Sequence, residues 1–398
     1  MPLNHKPIRV LVVDDSAFMR SALTNMLHES PEFTVVGAAR NGEEALEKVA
    51  TLKPDVMTLD IDMPGMNGLR VLERVMATTP LPVVVVSALT EEGADVTIQA
   101  LNLGAVDFLP KQLQGSLLRI TAIRHLLHEK VRTAVKARVE ACLRNPSRLA
   151  PLRGTLANGY AAASTRIQKG APPAGHWSQH VPAVIAIGCS TGGPQALQEI
   201  LPLLPASFPA PIVIAQHMPK YFTKPFADRL NQQCAIEVRE ATASDVLTPG
   251  VALLAPGGQH MVLESGAGQT IGLRFFNGCE ELPYRPSVDV LMQSLARVCG
   301  AKSVGVILTG MGHDGMEGAR AIKAVKGVVL AQDEASSVVY GMPKAVIEEG
   351  YADKVIPLSR MAEELLALVR HRYDRGGSPP SRADDQSRGQ VTLSSIAL

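Results

Sequence analysis

Three residues in the second half of the chain have the types and spacing that acyl transfer needs. Ser190 follows the apolar run AVIAIG, inside the string CSTGGP, so a strand hands over to a helix at a tight glycine-rich turn. Glycines at such a turn permit close approach, and N–H groups at the helix start can stabilise an oxyanion. His217 directly follows the run PIVIAQ, and Asp314 lies in the loop MGHDG after KSVGVILTG. If the three runs are parallel neighbours, their carboxyl ends share one edge, where a nucleophile, a base and an orienting carboxylate meet. The string GCSTG matches G-x-S-x-G formally, but the chain order Ser, His, Asp is not that of α/β-hydrolases and predicts a different hydrolase fold. Cys189 is a rival nucleophile, though it precedes the turn and is expected to point into the core. His260 and His313 are rival bases, less favoured because His217 directly follows a buried strand. Taken alone, Ser190 would be read as a helix cap.

A second set of reactive groups falls at the strand ends of the first half. Asp14 and Asp15 end IRVLVV, Asp60 lies in DVMTLDI, Ser87 in PVVVVSA, and Lys111 follows AVDFL. Open parallel sheets bind ligands beyond the carboxyl ends of their strands. Three carboxylates at one mouth repel one another, and a hard cation such as Mg²⁺ relieves this while neutralising charge in phosphoryl transfer. Asp60 is then a potential nucleophile giving an acyl phosphate, with Ser87 and Lys111 as its sensors. Each acid alone could merely cap a helix. The set in sheet order is what points to chemistry.

Positioning these groups requires two parallel sheets. From Ile8 to Lys111, continuous apolar runs alternate with amphipathic segments such as SAFMRSALTNML and GEEALEKVA, the pattern of strands buried on both faces. A long helix from Leu117 to about Val139 is expected to close this half. A second alternation begins at VPAVIAIG, with helical patterns at Pro194 to Leu204, Ser287 to Val298, Met316 to Val325 and Arg360 to Arg370, and a β excursion around HMVLESGAGQTIGLRF. The expected division is 1–140, a linker over 141–180 rich in Pro, Gly, Ala and Ser, 181–373, and a polar tail over 374–398 expected to be largely disordered. As a flexible coil, a linker of this length spans roughly 30 to 40 Å, enough for docking or separation.

Composition sets further bounds. The 398 residues suit two domains, and 46% hydrophobic content suits globular cores. No run approaches the ~20 apolar residues of a membrane span, and MPLNHKPIRV has no secretory h-region, so a cytoplasmic protein without membrane insertion is expected. Five scattered cysteines without C-x-x-C spacing argue against a disulfide framework or zinc site. A net charge of +1 gives no whole-molecule reason to expect nucleic acid.

Two resemblances are specific. VVDDS, LDIDMPGMNG, VSA and VDFLPK resemble the motifs of response-regulator receivers over residues 8 to about 112. That likeness implies a doubly wound, flavodoxin-like receiver phosphorylated on Asp60 by a histidine kinase. It also implies Mg²⁺ held at Asp15, Asp60 and the backbone of Asp62, beside Asp14. GCSTGGP, AQHMP, YRPSVDVLMQSL, ILTGMGHDGMEGA and QDEASSVVYGMPKA are similar to the catalytic domain of the chemotaxis protein-glutamate methylesterase (CheB) family. This implies hydrolysis of glutamate methyl esters on chemoreceptors, often with deamidation of glutamines, by Ser190, His217 and Asp314. Thr191 and Met311 match neighbouring active-site positions, Met311 offering a backbone N–H, and the ester chemistry needs no cofactor. Cys189 and His313 stand where alanine and asparagine are usual, and neither change removes a catalytic atom. The rival reading is a response regulator whose output half binds nucleic acid or proteins through the basic stretch between Lys111 and Gly170. No helix-turn-helix pattern supports it, and it leaves the three strand-end residues unexplained.

Overall fold

The computed structural model describes residues 6–88, 90–111, 117–142, 183–278 and 284–374. Most of the expected linker and nearly all of the tail therefore lie outside the described residues. The first half is a five-stranded sheet of β1 (Ile8–Val13), β2 (Phe33–Ala39), β3 (Val56–Asp60), β4 (Val83–Ser87) and β5 (Asp107–Pro110). Its order is β2-β1-β3-β4-β5 and every pairing is parallel. Every residue of β3 and β4 is buried, as continuous runs such as VVVVS require. The intervening helices are α1 (Ala17–His28), α2 (Gly42–Leu52), α3 (Gly68–Thr78) and α4 (Glu91–Asn102). Each starts where a side chain, from Ser16, Asn41, Asn67 and Thr90 in turn, accepts an N–H of the first helical turn. A cap of this kind contributes about 1 kcal/mol and fixes the register of the loop before it. Strand order reverses between β1 and β3, whose ends carry Asp14 and Asp60.

The closing helix α5 (Leu117–Lys136) stops three residues short of the expected end, and a short helix α6 (Val139–Cys142) follows. Arg138 between them already belongs to the other half: its N–H donates to Val338 O at 3.0 Å and its guanidinium pairs with Glu334 at 2.8 Å. The break between the two helices thus falls where the chain contacts the second half.

The second half contains β6 (Val184–Cys189), α7 (Gly193–Ile200), β7 (Ile212–Gln216), α8 (Lys220–Gln233), β8 (Glu237–Glu240) and β9 (Val251–Leu254). Then come the hairpin β10 (His260–Ser265) and β11 (Ile271–Phe276), followed by α9 (Val288–Cys299), β12 (Ser303–Ile307) and α10 (Met316–Ala324). The last elements are β13 (Val328–Gln332), α11 (Met342–Glu348), β14 (Lys354–Ile356) and α12 (Leu358–Asp374). Seven strands form one parallel sheet in the order β14-β13-β12-β6-β7-β9-β8. The hairpin pairs antiparallel outside it, where the β excursion is expected. Sequence reading misses both edge strands: β8 is the charged string EVRE and β14 has only three residues. An edge strand buries less than a central one and so lacks the unbroken apolar run. Helix α8 is missed as well, with Pro225 inside it interrupting the pattern.

Candidate active site

Ladder register brings Ser190 and His217 together. Cys189 of β6 pairs with Gln216 of β7, so the next residue on each strand is Ser190 and His217, and the His217 N–H donates to Cys189 O at 3.0 Å. Gln216 fixes both turns. Its buried side-chain amide donates to Ser190 O at 3.0 Å and His217 O at 3.1 Å, and its oxygen accepts the Cys189 thiol at 3.0 Å. Cys189 is thereby tied into the core, and burial pushes its thiol well above the ordinary range. Gly192, with φ +80°, makes the turn into α7, and a Cβ on Gly193 would lie 2.1 Å from Gln216 Oε1. This explains why GG follows the serine and threonine.

β12 lies on the other side of β6 and delivers Asp314 from the loop beyond it. Asp314 Oδ2 is 2.8 Å from His217 Nε2. The same carboxylate accepts from Ser287 Oγ at 3.0 Å, Val288 N–H at 2.7 Å and Asp289 N–H at 2.9 Å. Burial pushes its pKa up, but the hydrogen bond from His217 and those amides outweigh burial and hold it below the usual carboxylate range. Asp289, at the start of α9, is pushed up to about 7, by burial first and then by the Asp314 charge beside it. Its Oδ1 accepts the Gly315 and Gly318 N–H groups at 2.9 and 2.7 Å, tying the Asp314 loop to α9. The imidazole of His217 is stacked on Tyr284, with ring centroids 4.3 Å apart and planes 9° from parallel. Its Nδ1 is buried without a partner. His260 is buried behind the site, where Nδ1 accepts the Ser287 N–H at 3.3 Å, and His313 is exposed. Among the described residues, the backbone N–H groups of Thr191 and Met311 donate no hydrogen bond.

The first half covers this edge with α4, β5 and α5. Asp107 of β5 is held by Lys130 of α5 at 2.6 Å and accepts the Thr191 hydroxyl, while Thr133 of α5 donates to the Met311 sulfur. Gln195 of α7 donates to Leu101 O and Ala105 O at 3.1 and 3.0 Å, and Phe108 packs on Phe222 at 4.6 Å between ring centroids. Ser190 is left only 7% exposed. Sequence reading singled out neither Asp107 nor Thr133, because nothing local marks a residue whose partner is some 80 or 180 positions away.

At the other edge, ligating oxygens of Asp14, Asp15 and Asp60 lie within 4.8 Å of one another, with Asp15 exposed and the other two buried. Lys111 Nζ bridges Asp60 at 2.6 Å and Asp14 at 3.2 Å. Burial pushes Asp60 up to about 6 despite the Lys111 ammonium, with the Asp14 charge adding to the rise. The Asp62 N–H donates to Asp60 Oδ1 at 3.1 Å. Ser87 Oγ donates to Gly93 O at 3.2 Å, turned toward the start of α4.

Comparison with known proteins covers both halves. The family model described as CheB methylesterase matches residues 185–365, and that of the response regulator receiver domain matches residues 10–123. The chain is 46% identical over 375 residues to protein-glutamate methylesterase/protein-glutamine glutaminase 1 of Oleidesulfovibrio alaskensis, covering 91% of this chain and 99% of that protein. It is 48% identical over 365 residues to protein-glutamate methylesterase/protein-glutamine glutaminase 2 of Nitratidesulfovibrio vulgaris, covering 90% and 98%. The crystal structure of the Thermotoga maritima CheB methylesterase catalytic domain aligns with 47% of this chain and 98% of that one, at 43% identity and a TM-score of 0.46. A receiver edge, a methylesterase edge and relatives matched along almost their whole length agree: the chain belongs to the protein-glutamate methylesterase/protein-glutamine glutaminase (CheB) family.

Proposed function

We propose that the chain hydrolyses methyl esters of glutamate side chains on chemoreceptors, deamidates receptor glutamines, and is switched on by phosphorylation of Asp60. The single observation carrying the hydrolase reading is the 2.8 Å contact of His217 Nε2 with Asp314 Oδ2, one strand position across from Ser190. Ser190 Oγ attacks the side-chain carbonyl and passes its proton to His217. Asp314 holds the tautomer, and the free N–H groups of Thr191 and Met311 receive the oxyanion. The proton on His217 then goes to the departing methanol or ammonia. Water, deprotonated by His217, attacks the acyl-enzyme, and His217 returns the proton to Ser190 Oγ as the glutamate carboxylate leaves.

In the receiver, the all-oxygen donor set of Asp14, Asp15, Asp60 and the Asp62 backbone fits Mg²⁺, which when bound would offset the charge of an incoming phosphoryl group. Asp60 accepts that group from a histidine kinase, and Ser87 and Lys111 turn toward it. We assign residues 1–140 to the receiver, 181–373 to the hydrolase and 141–180 to the linker, in a cytoplasmic protein. Among the described residues no helix is long and apolar enough to cross a membrane. The docked receiver occludes Ser190 and also pairs with the side chains of both proposed oxyanion residues. Methanol release from methylated receptor cytoplasmic fragments, with and without acetyl phosphate, tests the assignment. Release stimulated by the phosphodonor is expected. No release in either condition overturns it.

A further inference from the structure

We propose that Tyr284 is the positioning residue of the general base, its ring fixing the plane of the His217 imidazole and covering one face of the imidazolium formed in each proton transfer. The proposal rests on the assignment of Ser190, His217 and Asp314 above. Asp314 holds the imidazole through Nε2 alone, at 2.8 Å, while Nδ1 is buried without a partner. A ring held at one nitrogen can turn about that hydrogen bond, and turning moves Nδ1 relative to the neighbouring serine. The nearly parallel Tyr284 ring, 4.3 Å away and 9° off, removes this freedom. It also supplies what a proton-accepting ring needs, since the negative face of an aromatic attracts a cation placed over it, the more so as water is excluded.

The segment YRPSVD is anchored at both ends of the machinery. The Arg285 carbonyl accepts the Gly258 N–H at 3.1 Å, Ser287 Oγ and the Val288 and Asp289 amides hold Asp314, and the Ser287 N–H reaches His260 Nδ1 at 3.3 Å. One stretch of backbone thus sets the position of the acid and the plane of the base together. Burial pushes the Tyr284 phenol above its ordinary range, so the ring stays neutral beside His217. Its hydroxyl lies toward the Asp314 loop, 3.4 Å from where a Gly312 Cβ would be, and among the described residues it makes no hydrogen bond that would give it a separate role.

The test uses the full chain with acetyl phosphate and compares Tyr284→Phe, which keeps the ring, with Tyr284→Leu, which keeps apolar bulk. Methanol release gives kcat and KM, and phosphonylation of Ser190 by a fluorophosphonate reports serine activation without the receptor. Tyr284→Leu is expected to lower kcat and the phosphonylation rate by about 10- to 100-fold with KM little changed, while Tyr284→Phe stays within about 3-fold of the parent. The His217 ring-proton resonances should lose their upfield ring-current shift in Tyr284→Leu and keep it in Tyr284→Phe. Should Tyr284→Leu fold poorly, Tyr284→Met carries the same expectation. A Leu variant as active as Phe, a Phe variant as impaired as Leu, or an effect confined to KM overturns the proposal. Ser190→Ala separates this from failure of the underlying assignment: if that variant still releases methanol, the triad reading falls, and if it is dead while Tyr284→Leu is fully active, only the tyrosine's role falls.

Discussion

The two halves present the same architecture, acids and hydroxyls at the carboxyl edge of a parallel sheet, yet they treat charge in opposite ways. Asp314 in the second half is saturated by four donors, three of them from the start of α9, so its charge and direction are fixed. Asp60 in the first half shares one ammonium with Asp14, takes one backbone N–H, and has an exposed third acid beside it. A carboxylate surrounded by backbone and side-chain donors can only orient a neighbour, whereas one sharing a single ammonium with another acid has room to take a new ligand. One edge is built to keep its electrostatics constant through a reaction. The other is built to register a change.

This contrast can be broken most severely at the serine. Ser190→Ala should lower methanol release by orders of magnitude, about 10³-fold or more, with an unchanged melting curve. Cys189→Ala should stay active, and the reverse outcome would move the nucleophile one residue. The next largest effect concerns the dependence of one edge on the other. A chain beginning at Val181 should hydrolyse receptor esters about 5- to 150-fold faster than the unphosphorylated full chain and should ignore acetyl phosphate. Asp60→Asn in the full chain should stay at the low rate with or without the phosphodonor. Equal rates for the truncated and unphosphorylated full chains would exclude occlusion and favour activation by contacts from the phosphorylated receiver.

A finer probe is the link between Asp107 and Thr191. Asp107→Ala removes a buried acceptor that joins α5 to the serine turn, so basal activity should rise by about 3- to 10-fold, with the phosphodonor-stimulated rate unchanged. Basal activity at the parental level would mean that the apolar contact of Phe108 with Phe222 carries the docking. The smallest effect is on stability. Because the Asp289 carboxyl is raised to about 7 in the folded chain, its contribution is complete below the ordinary carboxyl range and is lost as the pH rises through 7. Asp289→Asn keeps an oxygen for the Gly315 and Gly318 amides and cannot ionise. Its unfolding free energy relative to the parent should therefore improve between pH 5 and 8.5, by roughly 2 to 3 kcal/mol. Parallel pH curves for the two proteins would show that Asp289 carries no such burden.

Much of the architecture is legible because central strands and helix starts are written locally. VVVVS is buried on both faces and reads as such, and Asn41, Asn67 and Thr90 mark helix starts where their side chains accept first-turn amides. Edge strands resist reading for the converse reason, with EVRE in β8 polar because three of its four residues are only half-buried. The site divides the same way. Ser190, His217 and Asp314 could be nominated because each ends an apolar run, but Tyr284, Ser287 and Asp289 carry no local mark of their relation to His217 and Asp314.

The sequence by itself determined two α/β halves and which residues stand at their strand ends, because periodicity and caps are short-range properties of the chain. Only the tertiary structure decided that β5 and α5 of the first half close over Ser190, that Asp107 meets Thr191 and Thr133 meets Met311, and that Tyr284 lies flat on His217. Those contacts join residues from 67 to 178 positions apart, set by how sheets stack and how one helix extends, which no local pattern records.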